Sequence, residues 1–207
     1  MLLPHLPPNA LLTKANILID QDGHARLADF GLLTIVSDPT NPTASSSTLN
    51  AGTTRWMSPE LLHPDKFGLK NCRPTNKSDC YALGMVILEV LSGQDPFPRD
   101  NGFVVMRKVI DGERPERPQG AEGAWFTDGL WEMLELCWSP QPEDRPIIEA
   151  VLEHLDRVSA TWQPLPPGVD DDIETDSSDD SSSLTVSYHC MFPYFVSNLM
   201  LAFSHLL

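Results

Sequence analysis

The segment SDCYALGMVILEVLSG, residues 78 to 93, constrains the fold more than any other part of the chain. Ser78 and Asp79 are capping candidates for the start of a helix, and Gly93 is a typical residue just beyond its end. Between them almost every residue is apolar, and a helix that is apolar all round must be covered on all sides. Since the segment is too short for a bilayer span to be the first interpretation, it predicts the central helix of a mainly helical domain.

Three further helices are predicted after this one, over residues 103 to 111, 127 to 138 and the segment PIIEAVLEHLDRV. In the second, one face carries the apolar residues Leu130, Met133, Leu134, Cys137 and Trp138. The third has Pro146 as a suitable first-turn residue. Its apolar stripe at three-four spacing consists of Ile147, Ile148, Val151, Leu152, Leu155 and Val158. The only strand signal is a short hairpin, residues 17 to 19 and 25 to 28, joined by the turn DQDG.

Composition divides the chain into three parts. Residues 1–162 form the predicted domain, and 163–183 form a Pro-rich exit followed by an acidic, Ser-rich linker that we expect to be disordered. Residues 184–207 are an apolar tail, interpreted as a helix packed on the domain, a membrane anchor, or sequence foreign to the protein. The tail is long enough to cross a bilayer, but Pro193 and two histidines interrupt it and no Lys or Arg flanks it.

The charge balance excludes two classes of partner. Acidic residues number 29 against 14 Lys and Arg, which gives a net charge of −15. Nucleic acids and anionic membrane surfaces both require clustered basic residues, so neither is expected as a partner. The four cysteines lie far apart without a CxxC pair, which indicates reduced thiols and a cytoplasmic or nuclear location.

Six motifs occur in an order that identifies a family. They are KANILI, ADFGL, GTTRWMSPE, KSDCYALGMVILEVLSG, PF at 96 to 97 and LCWSPQPEDRP. Over about residues 9 to 158 the chain resembles the C-terminal lobe of a serine/threonine protein kinase of the tyrosine-kinase-like group. The resemblance implies a mainly α fold, a protein-kinase-like C-lobe with a small β-hairpin, and Mg²⁺-assisted phosphoryl transfer from ATP to a protein Ser or Thr.

The resemblance assigns two metal ligands and several structural residues. Asn16 and Asp29 match the Asn and the DFG Asp that hold Mg²⁺ against ATP in kinases, and Gly31 completes the DFG triplet. Asn16 and Asp29 both provide oxygen ligands suited to Mg²⁺. Their separation in the sequence, 29 − 16 = 13 residues, fits a hairpin that brings them to one end. Thr53 matches a threonine typical of Ser/Thr-directed kinases.

Three more residues have an architectural role by the same resemblance. Glu60, in Ser58-Pro59-Glu60, is expected to pair with Arg145 of EDRP, and breaking such a buried pair would cost roughly 3–5 kcal/mol. Asp79 matches the helix-start aspartate that holds the backbone of the catalytic loop.

The catalytic base departs from the family pattern. Leu11 stands where the pattern places the catalytic Asp, and Asn9 and Ala10 replace the preceding His and Arg. Loss of a positioned base costs about 10²- to 10⁴-fold in rate. We also expect the small lobe to be absent, because no Gly-rich loop, strand lysine or partner glutamate precedes the motifs, and ATP binding to be poor. A helix that normally covers the central helix is also expected to be missing, and an uncovered face of about 300 Å² would forgo roughly 7 kcal/mol. We therefore expect the lobe to be either marginally stable or covered at this face by the tail 184–207 or by a partner chain.

Three interpretations follow from the sequence. The chain is an incomplete version of an active Ser/Thr kinase, a pseudokinase-type lobe used for binding or regulation, or a protein anchored in a membrane by residues 184–207. The partner is a protein substrate or a regulatory protein in the first two cases. The chain alone is expected to be inactive in all three.

Overall fold

The structure of the chain is a computed structural model that describes residues 17–19, 21, 25–27, 54–70, 74–123 and 126–160. The expectations for the linker 163–183 and the tail 184–207 lie outside these residues. Within the described part, none of the helices combines the length and the apolar character that a bilayer crossing requires.

The predicted hairpin is confirmed. Strand β1, Ile17–Ile19, pairs antiparallel with β2, Ala25–Leu27, and residue 28, the predicted end of the second strand, lies outside the described residues. The register aligns Ile17 with Leu27, Leu18 with Arg26 and Ile19 with Ala25.

The other regular elements of the described chain are helical. Its α-helices are α1 (Pro59–Leu62), α2 (Asn76–Ser92), α3 (Gly102–Asp111), α4 (Gly120–Gly123), α5 (Asp128–Cys137) and α6 (Ile148–Ala160). Short 3₁₀ turns lie at Thr54–Trp56, Pro64–Phe67 and Pro142–Asp144. The fold is therefore mainly α with a small hairpin, as the sequence predicts.

Helix α2 begins earlier than the sequence interpretation placed it. The cap is Thr75, whose hydroxyl accepts a hydrogen bond from the Ser78 amide at 3.2 Å, while the Ser78 hydroxyl accepts one from the Thr75 amide at 2.8 Å. This reciprocal arrangement is a capping box, so Ser78 lies in the first turn and Asp79 follows it inside the helix. The predicted stop is confirmed, since Gly93 adopts φ 70°, a left-handed conformation that glycine adopts without strain.

Helix α2 is the centre of the core. Every residue from Ser78 to Glu89 is buried, so the open face expected from a missing covering helix is not observed. Among the described elements, α2 packs against the turn 54–56, helices α4 and α5 and the turn 142–144. The prediction that this helix is covered on all sides is confirmed for residues 78 to 89, whereas Val90 and Leu91 in its last turn are partly buried.

Helices α5 and α6 complete the core with the faces predicted for them, except at one position. Leu130, Leu134 and Cys137 of α5 are fully buried and Trp138 nearly so. Ile147 is 58% exposed, contrary to its assignment to the apolar face of the last helix. The reason is that α6 starts at Ile148, and the Ile147 carbonyl caps the helix by accepting from the amides at 150 and 151. Pro146 thus precedes the helix instead of occupying its first turn.

Candidate functional site

The hairpin is the part of the candidate metal loop that the structure describes. Asn16 directly precedes β1, and Asp29 follows β2 by two residues. Because Ile17 and Leu27 are paired, the chain enters and leaves the hairpin at the same end. Asn16 and Asp29 themselves lie outside the described residues, as do Leu11, Gly31 and Thr53. An amide and a carboxylate oxygen are a donor set compatible with Mg²⁺.

Other metal sites are not found in the described part. None of its His, Cys, Asp and Glu side chains form a group of three or more that could hold a metal ion. The two candidate metal ligands that the sequence indicates, Asn16 and Asp29, stay a prediction.

Glu60 and Arg145 form the best-defined polar contact of the site. Arg145 Nη1 lies 2.7 Å from Glu60 Oε1, and Nη2 lies 2.8 Å from Oε2, so the guanidinium donates to both carboxylate oxygens. Both residues are almost completely buried, with 3% of the surface of Glu60 and 1% of that of Arg145 exposed. The pair joins the first turn of α1 to the loop before α6.

The remaining donors of Arg145 hold backbone carbonyls. Nε donates to the Ser139 carbonyl at 3.0 Å, and Nη1 also donates to the Lys77 carbonyl at 2.9 Å. In return the Lys77 ammonium donates to the Arg145 carbonyl. A buried charge is tolerated when it is paired and its donors are satisfied, so Arg145 ties α1, the start of α2 and the end of α5 together.

Tyr81 is buried between two guanidinium groups. The Arg145 guanidinium carbon lies 5.2 Å from the ring centroid, and that of Arg114 lies 5.5 Å away, both within cation–π range. Burial raises the pKa of the Tyr81 phenol to about 12, although the two arginines act in the opposite direction. The phenol therefore stays neutral at physiological pH.

Arg55 connects the segment before α1 to the loop between α2 and α3. Its guanidinium donates to the carbonyls of Pro96 at 2.7 Å, Phe97 at 2.6 Å and Asp100 at 2.6 Å. Phe97 has φ 54°, a left-handed conformation that strains a residue with a Cβ. The three hydrogen bonds from Arg55 hold this loop in place.

Glu89 is a buried carboxylate that the sequence analysis did not single out. It is 1% exposed and accepts a hydrogen bond from the Trp56 indole at 3.0 Å. The available signal was a lone acid within the apolar run of α2. Asp79 is likewise buried, at 8% exposure, one turn after the cap of the same helix.

An open groove lies beside these contacts. It has a volume of about 480 Å³ and runs between residues 94–100 and 113–119. The side chains that line it carry both positive and negative charges, and the Lys108 ammonium lies 2.8 Å from Asp100 Oδ2. Phe103, at the start of α3, is 70% exposed.

Comparisons with known proteins agree with this architecture. A family model described as "Protein tyrosine and serine/threonine kinase" matches residues 11–155. Receptor-interacting serine/threonine-protein kinase 3 of Rattus norvegicus is 32% identical over 139 residues, which cover 65% of this chain and 28% of the relative. The Homo sapiens protein of the same name is 32% identical over 151 residues, 71% of this chain and 28% of the relative.

A relative from a plant shows the same pattern. Mitogen-activated protein kinase kinase 2 of Arabidopsis thaliana is 29% identical over 150 residues, which cover 69% of this chain and 37% of the relative. The chain thus spans well under half of the length of these relatives. The family model covers more than half of the chain, and the chain therefore belongs to the protein tyrosine and serine/threonine kinase family, with the mainly helical C-lobe fold of that family.

Proposed function

We propose that this chain is a protein-kinase lobe that keeps the architecture of the family but does not transfer phosphate by itself. The observation that carries the proposal is Leu11 at the position of the catalytic base. An isobutyl side chain neither accepts the proton of a substrate hydroxyl nor orients that hydroxyl.

The contacts of the described residues support a preserved architecture. The Glu60–Arg145 pair is buried and makes two hydrogen bonds, and the Tyr81 ring packs beneath Arg145. A buried charge pair of this kind loses its stabilisation when either partner is removed. The lobe is therefore suited to binding a protein substrate or a regulatory protein even without catalysis.

The inherited chemistry is Mg²⁺-assisted phosphoryl transfer from ATP to a protein Ser or Thr. When bound, Mg²⁺ neutralises charge on the ATP phosphates. Asn16 and Asp29 are the residues that would hold it. The 207 residues contain no GxGxxG loop to cover the phosphates, so we expect ATP to bind weakly to this chain.

The same features favour a second function, that of a pseudokinase-type regulatory lobe. In the first function the gene encodes a working kinase of which this chain is a part. In the second it encodes a lobe that is used only for binding. Both place the chain in the cytoplasm. A membrane anchor at 184–207 is the remaining alternative, and that segment lies outside the described residues.

A transfer assay tests the proposal directly. The purified 207-residue chain is incubated with Mg²⁺, γ-labelled ATP and a basic protein substrate, beside the Asp29→Ala variant. We expect equal, background-level labelling of both proteins. Labelling above background that Asp29→Ala abolishes would overturn the proposal, because it would show catalysis through the inherited metal site.

A binding measurement tests whether the metal loop is still in use. The melting temperature of the chain is recorded with and without Mg²⁺ and ATP, again beside Asp29→Ala. A shift that requires Asp29 supports a lobe that keeps its metal loop in use. The absence of a shift agrees with the weak ATP binding that we expect for this chain under either function.

A further inference from the structure

The open groove described above has two walls of irregular chain. The first wall, residues 94–100, lies between α2 and α3, and the second wall, residues 113–119, lies between α3 and α4. The volume of about 480 Å³ is in the range of pockets that hold ligands. Four prolines line the groove, and the ring of each fixes its backbone φ angle. The walls therefore have little freedom to rearrange.

An arginine from outside the groove holds the first wall. Arg55 donates to three carbonyls of this wall, those of Pro96, Phe97 and Asp100. Its Nε also lies 3.8 Å from Asp95 Oδ2. These contacts keep Phe97 in its strained left-handed conformation. Backbone strain that the surroundings hold in place is concentrated at functional sites, which favours a binding role for this wall.

Two arginines of the second wall attach it to the body of the lobe. Arg114 Nε donates to the Trp138 carbonyl at 2.7 Å. Arg117 donates to Asp128 Oδ1 at 2.8 Å and also to the Phe126 carbonyl. Both walls are thus fixed before a ligand arrives, and a preformed groove binds with a smaller loss of conformational entropy.

The charged side chains of the groove are balanced in number, but not all of them are paired. Four basic and four acidic side chains line it. The Lys108 ammonium is shared between Asp100 Oδ2 at 2.8 Å and Glu113 Oε2 at 3.9 Å. Arg99 and Glu116 are both exposed, and among the described residues neither has a hydrogen-bond or ion-pair partner. The first wall therefore presents a free positive charge and the second a free negative charge.

We propose that this groove binds an extended peptide segment of a partner protein, whose acidic side chain pairs with Arg99 and whose basic side chain pairs with Glu116. The groove is open, so a chain can pass through it, and neighbouring residues of one chain supply both charges. The proposal rests on the binding role proposed above and assigns a surface to it.

Charge complementarity favours a partner protein over the acidic segment of this chain. Residues 170–180 carry seven acidic residues and no basic one. The groove has equal numbers of both signs, so a purely acidic segment would meet repulsion from four carboxylates. A segment of mixed charge satisfies both walls, and such complementarity determines which partner binds.

A random heptapeptide library displayed on phage tests the groove without knowledge of the partner. The library is selected against the immobilised 207-residue chain, and an enriched peptide is labelled with fluorescein for Kd measurement by anisotropy. We expect the enriched peptides to combine an acidic and a basic residue at a constant spacing. Arg99→Glu and Glu116→Lys should each weaken binding about two- to tenfold, because charge reversal removes an exposed ion pair and adds a repulsion.

Arg107→Glu is the matched control for Arg99→Glu. Arg107 is not among the residues that line the groove, and its side chain is 78% exposed, 3.6 Å from Asp111. The control reverses the same charge on the same lobe, and it should leave the Kd of the enriched peptide unchanged.

The double variant Arg99→Glu, Glu116→Lys tests the pairing itself. A peptide with its acidic and basic residues exchanged should bind the double variant more tightly than the wild type, and the original peptide should do the reverse. The proposal is overturned if the library gives no peptide above an unrelated immobilised protein, or if the enriched peptides bind the double variant as tightly as the wild type. Sedimentation showing a dimer that the double variant abolishes would also overturn it, because a second copy of the chain would then occupy the groove. None of these readouts involves ATP, so their failure would refute the groove and leave the result of the transfer assay unaffected.

Discussion

Arg145 and Glu60, 85 residues apart in sequence, form a two-point ion pair in which each guanidinium nitrogen donates to a different carboxylate oxygen. Neither side chain reaches solvent to a meaningful extent, with 0% and 4% of the side chains exposed. Removal of one partner would leave the other charge buried without compensation. The pair therefore contributes through the penalty of breaking it more than through its own attraction.

The first prediction concerns this pair. Glu60→Gln keeps the shape of the side chain but leaves the Arg145 charge unpaired, so we expect the free energy of unfolding to fall by roughly 3–5 kcal/mol. Urea unfolding followed by tryptophan fluorescence measures the change. The control is Asp111→Asn, which removes the exposed partner of Arg107 at 3.6 Å and should have little effect. Equal effects of the two variants would contradict a structural role for Glu60.

The second prediction concerns Gly84. Replacing Gly by Ala inside a helix normally raises the free energy of unfolding by about 0.5–1 kcal/mol. Here the new Cβ would lie 2.5 Å from Trp138 Nε1 and 2.9 Å from the Cβ of Cys137, which must move. Since overpacking costs about 1–3 kcal/mol, we expect Gly84→Ala to destabilise the lobe.

Gly129 in α5 provides a matched control for Gly84. Among the described residues, a Cβ there would meet only His154 Cε1, at the ordinary contact distance of 3.9 Å. Gly129→Ala should leave the melting temperature unchanged or slightly higher. If Gly84→Ala changed the melting temperature as little as Gly129→Ala does, that result would contradict the close approach of α5 to α2.

Local patterns were sufficient to predict the four longer helices and the hairpin, but not the short helices α1 and α4. The apolar run of α2 and the buried face of α5 depend on residues one to four positions apart, and such spacings are visible in a sequence. The boundaries were less accurate. The start of α2 was placed at Ser78 and Asp79 because both are common caps, whereas Thr75 takes the cap and Ser78 returns the hydrogen bond.

Contacts between distant residues depended on the family resemblance or were missed. The pairing of Glu60 with Arg145 was expected only because the motifs match a family. No such match pointed to the Arg55 contacts, which span 41 to 45 residues, or to the Trp56–Glu89 hydrogen bond, which spans 33. A local pattern holds no information about which backbone carbonyls an arginine will reach after folding.

The third prediction concerns the hydroxyl of Tyr81. Among the described residues this buried oxygen has no hydrogen-bond partner, and an unsatisfied buried polar group costs about 1–3 kcal/mol. Tyr81→Phe removes it and keeps the ring between Arg114 and Arg145, so we expect stability to be unchanged or higher. Tyr81→Leu loses the cation–π contacts and should be less stable than Tyr81→Phe. Urea unfolding of the two variants and the wild type decides the order.

The fourth prediction is a loss of stability at high pH that depends on Tyr81. Its folded-state pKa of about 12 lies above the usual value of 10.0 for the unfolded chain. The folded state therefore holds the phenol proton more tightly, and the resulting stability is complete below pH 10 and is lost as the pH rises through 12. The difference between a pKa of 10.0 and one of about 12 corresponds to roughly 2–3 kcal/mol of unfolding free energy. The quantity to measure is the difference in unfolding free energy between wild type and Tyr81→Phe, from pH 8 to 12. This difference cancels the titration of the other residues and should decline only above pH 10. A difference that stays constant to pH 12 would show that Tyr81 ionises as readily in the folded lobe as in the unfolded chain. That result would contradict the burial of the Tyr81 ring against the two arginines.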